Sequence, residues 1–155
     1  MEQQTKIHAE NGKQELVVTR VFNLPVEILF KAYVITEIVE QWMGTKVLKL
    51  ENENHGSYQF ETTDPMGNKH RFNGTIHKII SNQKITRTFE MEDTPFETQL
   101  EFLDFEALTG DTSRLTMQIV YRSVELRDQL LQLPFAQGIN MAHNRLEKAA
   151  NEFKQ

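Results

Sequence analysis

The chain has 155 residues, 39% hydrophobic and 25% charged, a composition that suits one globular domain with a sizeable core. Cysteine is absent, which excludes disulfides and thiolate metal sites and fits a cytoplasmic protein. Seventeen basic residues against twenty-two acidic ones leave a net charge of −5, so no basic footprint for nucleic-acid phosphates is visible.

Residues 1–12 read as a polar N-terminal tail, and 13–155 as a single domain. Met1 to Lys6 has no apolar run, so neither a secretory signal nor an anchor is expected, and no later stretch approaches a membrane span. From Lys13 the pattern alternates, with Leu16, Val18, Arg20 and Phe22 on one side and Val17, Thr19 and Val21 on the other, which predicts a strand. Leu24-Pro25 stops it and opens a short helix with Ile28, Leu29, Ala32 and Tyr33 on its buried side. Thr36 is a candidate N-cap for a second short helix, which Gly44 can end, with Trp42 near its close.

A run of strands follows, separated by turn chemistry. Lys46 to Leu50 is short and mixed, and Tyr58, Phe60 and Thr62 alternate with Gln59 and Glu61. Asp64-Pro65-Met66-Gly67-Asn68 reverses the chain into the strand of Phe72, Gly74 and Ile76. After Ser81-Asn82-Gln83 come Ile85, Arg87, Phe89 and Met91, then the turn Asp93-Thr94-Pro95. Leu100 and Phe102 are read as inward, with Gln99 and Glu101 outward. Leu115, Met117, Ile119 and Tyr121 form the last inward set, with Thr116 and Gln118 outward. Ser123 can cap a short helix over 124–131. Pro134 then suits the first position of a long helix in which Phe135, Ile139, Ala142, Leu146, Ala149 and Phe153 draw one apolar stripe.

Strands joined by short breaks form an antiparallel meander, because parallel neighbours need a long crossover. The expected architecture is therefore α+β. A curved antiparallel sheet of six to seven strands wraps around the long C-terminal helix, and two short helices follow the first strand. One helical stripe cannot easily fill so broad a hollow, so a cavity between helix and sheet is the expected functional site.

Several pieces in order then point to a family. They are Arg20-Val21-Phe22, Pro25 through Ala32, Gln41-Trp42-Met43-Gly44, Gly56-Ser57-Tyr58-Gln59-Phe60, Phe72-Asn73-Gly74-Thr75-Ile76, Ser113 through Met117, and Gly138 through Leu146. The chain resembles the START-like (SRPBCC) superfamily of the helix-grip fold. Within it, the chain is similar to proteins homologous to the C-terminal domain of the activator of the heat-shock-protein-ninety ATPase. His55 stands where that family often has a second glycine, and Met43 where it often has a second tryptophan. The resemblance implies a pocket for apolar or aromatic small molecules, a chaperone as the alternative partner, and polyketide cyclase chemistry in distant relatives.

The histidines, His8, His55, His70, His77 and His143, are scattered and read as solvated surface residues. No metal, cofactor or nucleophile frame is assigned. The ligand-binding set expected from the inward faces and the helix is Trp42, Tyr58, Phe60, Phe72, Ile76, Arg87, Phe89, Leu100, Phe102, Met117, Ile119, Gly138, Met141 and Ala142. Gly138 is read as opening space on the helix wall, or as close packing on a strand. Arg87, if buried, must be paired by a ligand, by a core carboxylate, or by water at the rim. For Arg20 a structural ion pair is favoured. The expected function is a non-enzymatic binding module, a monomer or homodimer, holding a small hydrophobic or aromatic molecule.

Overall fold

In this computed structural model residues 4–154 are described, so residues 1–3 of the expected tail lie outside it. The strands are β1 (Lys6–His8), β2 (Glu15–Phe22), β3 (Lys46–Leu50), β4 (Gly56–Thr63), β5 (Lys69–Ile80), β6 (Lys84–Met91), β7 (Gln99–Ala107) and β8 (Ser113–Val120). Helices α1 (Val26–Val34) and α2 (Thr36–Met43) follow β2, and α3 (Val124–Gln132) and α4 (Phe135–Lys154) close the chain.

All eight strands form one antiparallel sheet in the order β1-β2-β8-β7-β6-β5-β4-β3. From β3 to β8 it is the expected meander. β2 joins the far side of β8 in register, with Leu16 opposite Ile119 and Val18 opposite Met117. Register shifts at Val47/Lys49 and Ile76/Lys78 mark bulges, which bend strands. The architecture is the helix-grip fold.

Among the described residues the strand count is eight, against the six or seven expected. The additional strand is β1, inside the stretch read as a polar tail. Three residues carry almost no periodic signal, and β1 forms because β2 offers an open edge on which Ile7 pairs with Val18. Asn140 of α4 fixes its approach by accepting the Thr5 backbone N–H through Oδ1 at 2.9 Å.

The phase of β7 is the opposite of that read from Leu100 and Phe102. Glu101, Leu103 and Phe105 are buried and stand opposite Ile119, Met117 and Leu115, whereas Leu100 is exposed and Phe102 half-buried on the outer face. The residue pair Leu100/Phe102 fits alternation as well as Leu103/Phe105 does. The longer strand decides, because inward Leu100 and Phe102 would carry Asp104 and Glu106 inward with them.

The short helices end as their residues dictate. Gly44, at φ 62°, terminates α2 in the left-handed region, and Ser123 Oγ accepts the Leu126 N–H at 3.1 Å to cap α3. Thr36 is not a cap; it lies in the first turn of α2 after Ile35. Trp42 ties the two helices together, donating Nε1–H to the Ala32 carbonyl at 2.7 Å with its ring edge-on to Tyr33. α1 rests on β7 through Phe30 and Tyr33, whose rings meet Phe105 at 5.1 and 5.6 Å.

The buried stripe of α4 is rotated from the expected one. Leu146 and Ala149 are buried as read, but so are His143 and Ala150, while Phe153 is 47% exposed. Gly138 and Met141 are exposed, and a Cβ added at Gly138 meets nothing within 4 Å. Neither expectation for Gly138 holds, because the position neither walls a cavity nor packs on a strand. Ala142 is half-buried against the core.

Candidate ligand cavity

Side chains of β6, of β7 and of the residue after β8 meet the helices at the place where α3 passes into α4. A cavity of about 210 Å³ opens there. The sheet supplies Phe89 and Met91 from β6, Gln99 from β7 and Tyr121 just beyond β8. The β6–β7 loop adds Phe96 and Glu97, and the helices roof it with Leu130 and Phe135. These elements converge because β6 ends in two large apolar side chains, while α3 and α4 meet at a break around Pro134 that leaves their ends apart.

Beside the cavity the sheet holds a charge pair. Arg87 Nε donates to Glu101 Oε1 at 2.9 Å, both side chains are largely shielded from solvent, and Gln99 Nε2 donates to Glu101 Oε2 at 2.7 Å. The guanidinium also lies over the rings of Tyr58 (5.2 Å) and Tyr33 (5.7 Å). Of the three pairings open for Arg87, the core carboxylate is therefore the one formed. Arg20 likewise lies against an α4 carboxylate, 3.8 Å from Glu147 Oε2.

Burial pushes the phenols of Tyr33 and Tyr58 above their ordinary value, against the opposing pull of Arg87. Burial also raises Tyr121, and Glu101 adds to the effect. All three are neutral phenols at neutral pH. Burial and the nearby Arg20 push His143 down to about 3, so the imidazole is uncharged. It is a core residue, not the solvated one expected: its ring packs on Phe22 and Nδ1 shares a 2.7 Å hydrogen bond with Thr5 Oγ1. Among the described residues no three His, Asp or Glu side chains converge to hold a metal ion.

Of the expected binding residues, Phe89 lines this cavity, and Phe72 stacks on it with centroids 5.5 Å apart. Tyr58, Phe60, Ile76, Met117 and Ile119 are buried core on the same inner face, and Trp42 is committed to the α1–α2 junction. Leu100 and Phe102 face outward and Gly138 and Met141 lie on the exposed side of α4, so these four do not border it. Gln99, Phe96, Leu130 and Phe135 were not singled out for the site. The reversed phase of β7 conceals Gln99, Phe96 and Leu130 sit where loop and helix ends meet, which has no periodic signature, and the periodicity of Phe135 marks a buried helix face without telling core from cavity wall.

A sheet gripping one long helix, with a cavity between them, defines a START-like domain. A family model described as Activator of Hsp90 ATPase homolog 1-like protein matches residues 23–151, and the chain belongs to that family. No curated protein matches it significantly. Among solved structures, a Rhodobacter sphaeroides protein is 18% identical with TM-score 0.83, over 93% of this chain and 95% of its own. A Mycobacterium smegmatis protein is 20% identical with TM-score 0.82, over 94% and 95%. One from Staphylococcus epidermidis is 21% identical with TM-score 0.81, over 93% of each chain. At such identities the likeness shows the fold alone. No helix among the described residues is long and apolar enough to cross a membrane.

Proposed function

We propose that the protein is a non-enzymatic binding module that holds a small hydrophobic or aromatic molecule between sheet and helices. The observation that supports this reading is the cavity walled by Phe89, Met91, Phe96, Leu130 and Phe135. Apolar walls with few polar groups suit a ligand whose affinity comes from burial and whose orientation comes from one or two hydrogen bonds. The probe is the uncharged dye N-phenyl-1-naphthylamine, titrated by fluorescence and counted by native mass spectrometry. Wild-type protein is expected to bind one dye molecule per chain. Leu130→Trp, which places an indole at the cavity roof, is expected to abolish binding while leaving circular dichroism unchanged. A wild-type protein that enhances no fluorescence of this dye, and is not stabilised by any member of a small aromatic library, overturns the proposal.

A second reading, contact with a chaperone, draws on the outward Leu100 and Phe102, two large apolar side chains on the solvent face of the central sheet. Its test is stimulation of a heat-shock-protein-ninety ATPase by the purified chain, with Leu100→Asp/Phe102→Asp expected to remove it. An unstimulated ATPase ends this reading and leaves the cavity reading standing.

A further inference from the structure

One residue lining the cavity carries a polar group without a partner among the described residues. Tyr121 is 3% exposed and lines the cavity, yet its hydroxyl is buried with no hydrogen-bond partner among the described residues. Tyr58 on the same inner face differs, because its hydroxyl donates to the Thr88 carbonyl. A buried hydroxyl left unpaired is unfavourable, and a phenylalanine would give the same packing without that cost.

Resting on the cavity reading above, we infer that Tyr121 is the specificity-determining contact of the site. Its hydroxyl donates to a hydrogen-bond acceptor, of which a ketone carbonyl is the simplest, on an otherwise apolar or aromatic and uncharged ligand.

Charge argues for an uncharged ligand. Arg87 beside the cavity is engaged by Glu101, whose second oxygen is taken by Gln99. Arg127 is directed to the carbonyls of Glu10 and Glu15 and to Asp128, and Glu97 at the mouth pairs with Arg122. An anionic ligand would enter beside Glu101 and Glu97 with the neighbouring cations already engaged, and would carry its full desolvation cost. Protonation argues for an acceptor, because burial and the adjacent Glu101 keep the Tyr121 phenol protonated and so able to donate. The polar end of the ligand is thereby fixed toward β8, and its apolar body lies among Phe89, Leu130 and Phe135.

The test compares 2-acetylnaphthalene with 2-ethylnaphthalene, which share a ring system and differ in the carbonyl. Dissociation constants are measured for wild-type protein and for Tyr121→Phe. The substitution is expected to weaken the ketone about three- to tenfold, the range of one net hydrogen bond, and to leave the hydrocarbon unchanged. Equal losses for both probes, or an unchanged ketone, overturn the assignment of Tyr121 while the hydrocarbon's binding keeps the cavity reading alive. If neither probe binds wild-type protein, the assignment of Tyr121 falls, and the cavity reading is decided by the dye titration and the aromatic library. Should Tyr121→Phe fail to fold, carbonyl-13C-labelled ketone on the wild-type protein decides. A downfield shift on binding is expected from hydrogen bonding, and a shift matching that in an aprotic solvent overturns the proposal.

Discussion

His55 adopts φ 70°, the left-handed region that side chains with a Cβ enter only at a cost. Its N–H donates to the Ile76 carbonyl at 2.7 Å, which fixes the backbone there whatever the side chain. The next residue must be glycine for a different reason, since a Cβ at Gly56 would collide with the Glu51 carbonyl. A second glycine in this turn, at the place where the resembling family often has one, would relieve the strain at His55. His55→Gly is expected to raise stability by about 1 kcal/mol, less than the full αL cost because glycine gains freedom in the unfolded chain. An unchanged or lower urea midpoint would show that the exposed imidazole, 5.7 Å from the His77 ring, contributes more than the strain it imposes. Gly74 answers to a third constraint, because a Cβ there would strike the Thr88 carbonyl and the Tyr58 ring lying across β5.

Between elements, the Arg87–Glu101 pair links β6 to β7 beyond the ladder itself. Both charges are largely withdrawn from water, so their attraction is set against a desolvation cost of similar size. Removing one partner leaves the other charge buried and uncompensated. Arg87→Met is therefore expected to cost about 3 kcal/mol, the low end for buried pairs because some solvent reaches the guanidinium. Replacing both, as Arg87→Met/Glu101→Leu, is expected to recover most of that loss. Urea unfolding of the two variants checks this, and a double variant no more stable than the single one would mean that Glu101 serves Gln99 more than Arg87.

For the molecule as a whole, His143 couples acid to the grip of α4 on the sheet. Its folded value of about 3 lies below the 6.5 of an unperturbed imidazole, so the unfolded chain binds a proton that the folded one refuses. The contribution is complete above about pH 6.5 and declines as the pH falls toward 3, with a slope of up to about 1.4 kcal/mol per pH unit. His143→Gln has no proton to bind in this window. The stability gap between wild type and His143→Gln, measured by denaturant titration, is expected to narrow by about 1 kcal/mol for each unit from pH 6 to pH 4. Parallel pH profiles would mean that the folded protein admits the proton and the imidazole is less buried than it stands here.

Everything that repeats over a short window is legible in the residues themselves. The long C-terminal helix, the meander of alternating strands, the turns at Asp64–Asn68 and Ser81–Gln83, and the Ser123 cap are set by neighbours a few residues apart. The sheet with one buried face follows from their sum. The phase of β7, the addition of β1, the burial of His143 and the place of the cavity come from long-range contacts alone. Each depends on a partner far along the chain: Met117 for Leu103, Val18 for Ile7, and Thr5 and Phe22 for His143. Periodicity assigns a face only relative to its own strand. Which face meets the core is settled by what lies opposite, and the cavity lies where β6, β7, β8, α3 and α4 stop fitting one another.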